Sequence, residues 1–230
     1  MRILITGATS GVGLDFLKLI ADEKYNHVNV DILIRKMNDE VREIQSKTDG
    51  RIKAFIVDLS QPSSLSFNST MRLISNVHHD VVINNAGITN RNYLEAHGSQ
   101  DILDIMNVNT ITPMLITKAT ISDQEPQLFV NILSGAAKEN FRKLSAYGTS
   151  KAALAKFFDQ LYVDYQDKDI HNKAFVDLNP GPIDTKLCPE SYKDGRVKLL
   201  TGTEVAESII KCIDEFNEDQ YQLIRKKIDL

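Results

Sequence analysis

The sequence predicts a doubly wound α/β fold: one parallel sheet with helices on both faces. Three observations carry this expectation. Short apolar, β-branched runs alternate with segments of helical period along the chain. The runs are apolar almost throughout, as strands buried on both faces require, rather than at every second residue. No Pro/Ser-rich linker, low-complexity tract or internal repeat interrupts the 230 residues, so one domain over 1–230 is expected.

The six runs are "RILIT" (2–6), "VNVDILIR" (28–35), "IKAFIVDL" (52–59), "DVVINNA" (80–86), "QLFVNILS" (127–134) and "KAFVDLN" (173–179). Helical periodicity occupies 12–24, 38–47, 62–77, 99–120 and 146–166, and a further amphipathic segment, 202–217, follows the last run. A short seventh strand is expected within 221–228.

Composition narrows the function classes. Hydrophobic residues make up 42%, charged residues 25%, and the formal net charge is −4. These values suit a soluble globular protein and leave no basic footprint for nucleic acid. The run Arg225-Lys226-Lys227 reads as a solvated tail. Cys188 and Cys212 form neither a CxxC pair nor a His/Cys cluster, so no metal site is expected and a reducing compartment fits. No apolar stretch approaches the roughly 20 residues of a membrane helix. The first apolar run stops at Ile5, too short for a signal peptide. A cytoplasmic protein without a membrane partner is the expectation.

The turn "TGATSGVG" (6–13) joins the first strand to the first helix. Gly7, Gly11 and Gly13, with Thr9, Ser10 and Val12 between them, suit a backbone that passes close to a pyrophosphate. The free N–H groups and positive dipole of the helix start would hold the anion. "YGTSK" (147–151) opens an alanine-rich helix. Residues four apart share a helix face, so the Tyr147 phenol and Lys151 ammonium can project into one cleft. By itself the pattern reads equally well as a packed tyrosine beside a solvated lysine.

Further motifs follow in register. They are "VDL" with Asp58 and Leu59, "NNAG" (84–87) with Asn85, Ala86 and Gly87, and "MNVNT" with Asn107 and Asn109. Then come "NILSGAA" with Ser134, which lies 13 residues before Tyr147, and "NPGPIDT" (179–185) with Pro180, Gly181, Ile183 and Thr185. The spacing Gly-x-x-x-Gly-x-Gly and the order of these motifs, from residue 2 to about 210, resemble the short-chain dehydrogenases/reductases. Within that family the chain looks like NADP-preferring carbonyl-reductase-like members.

The resemblance implies a Rossmann-type sheet of order 3-2-1-4-5-6 and a hydride transfer between a nicotinamide cofactor and a carbonyl or alcohol substrate. It selects Asn109 rather than Asn107. It implies Tyr147 as general acid in reduction and general base in oxidation. Lys151 would lower the tyrosine pKa and hold the nicotinamide ribose, Ser134 would hold the substrate oxygen, and Asn109 would position a relay water. Asp58 would stand beside the adenine, though a strand-ending Asp that caps the next turn explains that residue equally well. "PGPIDT" would cover the nicotinamide. The chemistry is coherent: a phenol with a pKa of about 10 is a reluctant proton donor or base at neutral pH, and a neighbouring ammonium favours its ionised form.

For cofactor choice, the family's NAD-preferring members carry an Asp about where Ile34 stands. Here Ile34 is followed by Arg35 and Lys36, a pattern resembling NADP preference, in which arginine pairs with the 2′-phosphate. An exposed Arg–Lys pair after a strand is the plain alternative. Asp31 is also near the expected distance from the glycine turn, but too early in its strand. NADP(H) is therefore expected over NAD(H).

The substrate should meet segments 88–97, 136–144 and 186–200, the last as a substrate loop. Phe141, Leu144, Leu187 and Tyr192 suit an apolar wall, or equally lid packing. The short loop suggests a small or medium carbonyl compound. A homodimer through the helices carrying Asn109 and Tyr147 is expected, with a tetramer as the alternative. Two other readings stand beside the enzyme: a nucleotide-binding regulator or scaffold with little turnover, and a nucleotide-sugar epimerase, for which little chain remains after Thr185.

Overall fold

The computed structural model describes residues 1–189, 192–195, 197–218 and 222–230. Its strands are β1 (Arg2–Thr6), β2 (Asn29–Ile34), β3 (Ile52–Ile56), β4 (Val81–Asn84), β5 (Gln127–Ile132), β6 (Lys173–Asn179) and β7 (Ile224–Asp229). The helices are α1 (Gly11–Ile20), α2 (Asp39–Lys47), α3 (Leu65–Ser75), α4 (Ser99–Met106), α5 (Thr112–Thr120), α6 (Ser145–Asp167) and α7 (Gly202–Glu218). All seven strands join one sheet of order β3-β2-β1-β4-β5-β6-β7, and every neighbouring pair is parallel. The seventh strand extends the expected order at the β6 edge. Tyr221, the first residue of its expected range, lies outside the described residues.

The apolar runs outlast the ladders at several carboxyl ends. The run 52–59 pairs only to Ile56, and 80–86 only to Asn84. The remaining residues turn out of the sheet toward a groove above it. That groove opens where the strand order reverses, between β1 and β4, which is where a doubly wound sheet leaves room for a ligand.

Two apolar cores explain the two helical layers. On one face Phe16, Leu17 and Ile20 of α1, Val41 and Ile44 of α2, and Ile209 and Ile213 of α7 pack against Ile3, Ile5, Val30 and Ile32. On the other, Phe67 of α3, Ile116 of α5 and Phe158 of α6 pack against Leu4, Val82, Phe129 and Phe175. The alternation of Ile3, Leu4 and Ile5 between the cores is the period-two projection of a strand. Helix starts are capped locally: Asn38 accepts the Val41 N–H at 3.0 Å, and Ser64 accepts that of Phe67 at 3.1 Å.

The segment 99–120, expected as one helix, carries a π-helical stretch, Asn107–Ile111, between α4 and α5. Pro113 gives the reason. An α-helix would set its ring against the carbonyl of Asn109, four residues earlier, and Pro has no N–H to bond it. The wider π turn relieves this and turns Asn109 inward.

Polar side chains also cross the sheet. Asn84 Nδ2 donates to Asn131 Oδ1 at 2.9 Å, and Asn131 Nδ2 to Asp177 Oδ1 at 2.9 Å, each between register partners on adjacent strands. Arg225 of β7 closes the row on Asp177 and Asp159. The basic run 225–227 is therefore built into the edge strand rather than left as a tail, with Lys226 on Glu215 and Lys227 on Asp159.

Candidate active site

The glycine turn is shaped by its neighbours. Gly7 has φ +72°, and a Cβ there would lie 2.8 Å from Ala86 Cα, so only glycine lets the "NNAG" strand end pass. A Cβ on Gly13 would meet Asn85 Nδ2 and Gly7 O at 2.6 Å. That close packing keeps Gly13 behind the groove rather than in its lining. Asn85 Nδ2 donates to the carbonyls of Thr6 and Gly7 at 2.9 and 3.0 Å, and Thr6 Oγ1 accepts the N–H groups of Asn85 and Ala86. Four hydrogen bonds thus tie the turn to the strand end at Asn85 and Ala86.

Ser10, at the start of α1, makes no side-chain hydrogen bond to that helix. The first-turn N–H groups take no cap from it, and Gly11 and Val12 of that turn line the groove. The groove is lined by Thr9, Ser10, Gly11 and Val12 from the turn, by Arg35, by Asp58 and Leu59, by Ala86 and Gly87, and by Ile183 and Thr185 from above. Such a trough, with a bare helix start in its middle and small residues along its floor, suits a dinucleotide.

At the outer end, Arg35 is exposed and has no hydrogen-bond or ion-pair partner among the described residues, while Ile34 before it is buried. Asp31 is excluded from the groove. It is 3% exposed inside the sheet, with Arg2 Nε at 2.8 Å and His79 Nε2 at 3.0 Å. Burial raises its carboxyl pKa, but these two partners outweigh burial and hold it below the usual value. Asp58 accepts the Ser60 N–H at 2.9 Å, which caps the turn after β3, and it also lines the groove.

At the inner end the groove meets a second, more apolar pocket. Tyr147 lines both. Ser134 lines the second pocket beside the Tyr147 phenol and influences its ionisation. Burial pushes that phenol up, while Ser134 and the charge of Arg91 pull it down less strongly. Lys151 lies beneath, 5.8 Å from the tyrosine ring centre, and donates to the Ile132 carbonyl at 2.8 Å. Its burial brings the ammonium pKa down to about 8. In the protein without ligand, burial thus dominates the tyrosine, and the expected lowering of its pKa by Lys151 is absent.

Asn109 is fully buried and heavily used. Its Nδ2 donates to the Ile88 carbonyl and to Ser150 Oγ, and its Oδ1 accepts the Ile88 N–H, all at 2.9 Å. It clamps the chain after "NNAG" to α6. The space beside Gly87 faces both Lys151 Nζ and Asn109 Oδ1, since a Cβ built there would lie 3.4 and 3.6 Å from them. Asn107 instead donates to the Ser60 carbonyl at 2.9 Å, tying down the turn after β3.

Pro180 and Gly181 line the second pocket rather than the groove, while Ile183 and Thr185 line both. The expected wall of Phe141, Leu144, Leu187 and Tyr192 lines that pocket too. Ile183 pairs with Leu200, which closes the base of the loop 186–200. Residues 190, 191 and 196 of that loop lie outside the described residues. Two site features escape a reading of the sequence. Arg91 sits in an aperiodic loop that gives no pattern to read, and the Ile132 carbonyl that anchors Lys151 is a backbone group.

A parallel sheet with a glycine turn at its switch point and a tyrosine between two pockets defines a nucleotide-binding oxidoreductase. Comparison with known proteins sharpens this: residues 1–195 match the short chain dehydrogenase family model, and the chain belongs to that family. It is 27% identical to dehydrogenase/reductase SDR family member 7B of Danio rerio, over 94% of this chain and 75% of the relative. With the Mus musculus protein of the same name it shares 30% identity over 80% of this chain, and spans 58% of that relative's length. The fold is that of an alcohol dehydrogenase from Thermococcus sibiricus solved with 5-hydroxy-NADP, with a TM-score of 0.78, 19% identity, and coverage of 100% of this chain and 95% of that one.

Proposed function

We propose that the chain transfers a hydride between NADP(H) and a small or medium carbonyl or alcohol compound, with Tyr147 moving the proton. The observation that carries this reading is the position of Tyr147, whose side chain lines both pockets with Ser134 beside it in the second. When bound, the cofactor supplies the hydride that no side chain can supply. The turn from Gly7 to Val12 would hold its pyrophosphate on the start of α1. Arg35 pairs with the 2′-phosphate, Asp58 and Leu59 flank the adenine, and Thr185 and Ile183 cover the nicotinamide.

A buried phenol keeps its proton at neutral pH, which suits a donor to the oxygen of a carbonyl undergoing reduction. Ser134 holds that oxygen. Lys151, still mostly charged at pH 7, would hold the ribose. Asn109 positions the turn after β4 and shares the space beside Gly87 with Lys151, where a water can return the proton. NADP rather than NAD is favoured by an unpartnered Arg35 in the groove and by an Asp31 locked inside the sheet. A homodimer through α4 and α6 belongs to this reading, with Leu103 and Val163 exposed on them.

The test is a titration with NADPH and NADH at fixed salt, followed by turnover of a carbonyl panel, for wild type, Arg35→Ala and Tyr147→Phe. NADPH is expected to bind at least tenfold tighter than NADH, with Arg35→Ala removing most of the difference. Tyr147→Phe is expected to bind cofactor normally and lose turnover about a hundredfold or more. Equal binding of the two cofactors would overturn the Arg35 assignment. Tight binding without turnover of any carbonyl compound would favour a nucleotide-binding regulator.

A further inference from the structure

The second pocket has an unusual charge distribution. Of the described side chains that line it, Arg91 alone is charged. The rest of its wall is mostly apolar, with Phe141, Leu144, Leu187 and Tyr192 prominent. Arg91 has no carboxylate partner among the described residues. Its guanidinium lies over the Tyr192 ring, 5.7 Å from the centre, so it is stacked at the mouth rather than turned away. Its charge also reaches the reacting centre, being one of the influences that favour ionisation of the Tyr147 phenol.

An arginine with no carboxylate of its own, beside an apolar cavity, is a docking point for a substrate carboxylate, which a guanidinium receives through two parallel hydrogen bonds. A phosphate dianion would want a second cation, and no other described side chain lining the pocket supplies one. We propose that the substrate is an oxo acid or hydroxy acid. Its carboxylate binds Arg91, its apolar body lies against Phe141 and Leu144, and its reacting carbon sits at Ser134 and Tyr147. The inference rests on the dehydrogenase reading above for its chemistry, but not for its binding.

The experiment uses phenylglyoxylate and its methyl ester, one scaffold with and without the charge. Each is titrated into the full chain in the presence of NADPH by calorimetry, then assayed for turnover, in wild type, Arg91→Met and Arg91→Lys. The acid is expected to bind wild type about tenfold or more tightly than the ester. Arg91→Met should abolish that difference while leaving the ester and NADPH affinities unchanged, and Arg91→Lys should recover part of it. KM for the acid should rise about tenfold or more, while KM for the ester stays within about twofold. If acid and ester bind alike, or if Arg91→Met weakens both equally, the carboxylate site is wrong. Selective, Arg91-dependent binding of the acid without turnover would uphold the site and overturn the reductase reading. Turnover of the ester alone, indifferent to Arg91, would uphold the reductase and overturn the site.

Discussion

Two lysines are buried in this protein, and they behave alike by every bulk measure. Lys151 is 4% exposed and Lys173 is fully buried. Burial brings both ammonium groups down to about 8. Their surroundings differ. Lys173 opens β6 at the amino ends of the strands, and its Nζ donates to the Glu125 carbonyl at 2.7 Å, the Asn172 carbonyl at 3.4 Å and the Asn172 side chain. All three of its donors are spent on the protein. Lys151 spends one, on the Ile132 carbonyl, and the rest face a groove. Burial and a displaced pKa therefore do not mark a working lysine. Unspent donors opening on a cavity do.

The largest effect should separate the two outright. Lys151→Met is expected to lower kcat about a hundredfold or more, while Lys173→Met leaves kcat within about twofold. The fall from 10.5 to about 8 means that holding Lys151 charged costs the fold about 3 kcal/mol at pH 7. Lys151→Met should therefore melt a few degrees above wild type, and above Lys173→Met, which strands three acceptors. A Lys151→Met protein that melts below both would break the comparison.

The pH dependence of stability sharpens it. Each lysine has a folded pKa below its unfolded value, so between about 8 and 10.5 the unfolded chain holds more protons. Stability contributed by these groups thus rises with pH across that window. Urea midpoints at pH 8 and 9.5 should rise more in wild type than in either single variant, and least in the double variant. Identical slopes in all four proteins would refute the assignment.

The smallest effect tests the open side of Lys151. Gly87→Ala places a methyl group 3.4 Å from its Nζ, within ordinary contact. Unfolding free energy should change by less than about 1 kcal/mol. Turnover should fall severalfold, because the space shared with Asn109 is filled. Unchanged kcat would remove that space from the proton path.

Much of this was legible in the sequence. The strands were readable because a sheet covered on both faces writes continuous apolar runs such as "RILIT" and "KAFVDLN". Lys151 was readable because the motif around it fixes its place, and the wall of Phe141, Leu144, Leu187 and Tyr192 followed from the loops that carry it. What escaped were properties that depend on distant neighbours. Nothing in "KAFVDLN" says that Lys173 will be sealed in part by the Glu125 carbonyl, 48 residues earlier in the chain. Nothing near Asp31 announces Arg2 and His79, and nothing in "ITNRN" shows that Arg91 will lie over a tyrosine a hundred residues on. The chain between α4 and α5 looked like uninterrupted helix because its periodicity survives one extra residue in a turn.

That extra residue has a consequence for how the chain can change length. A π turn holds one residue more than an α turn at the same place. Deleting a single residue between Asn107 and Ile111 would impose a regular α turn there and drive the Pro113 ring against the carbonyl four residues before it. The same deletion would rotate Asn109 off the Ile88 backbone and release the strand end above the groove. A one-codon loss here would strain the helix at Pro113 and loosen the floor of the groove in the same step.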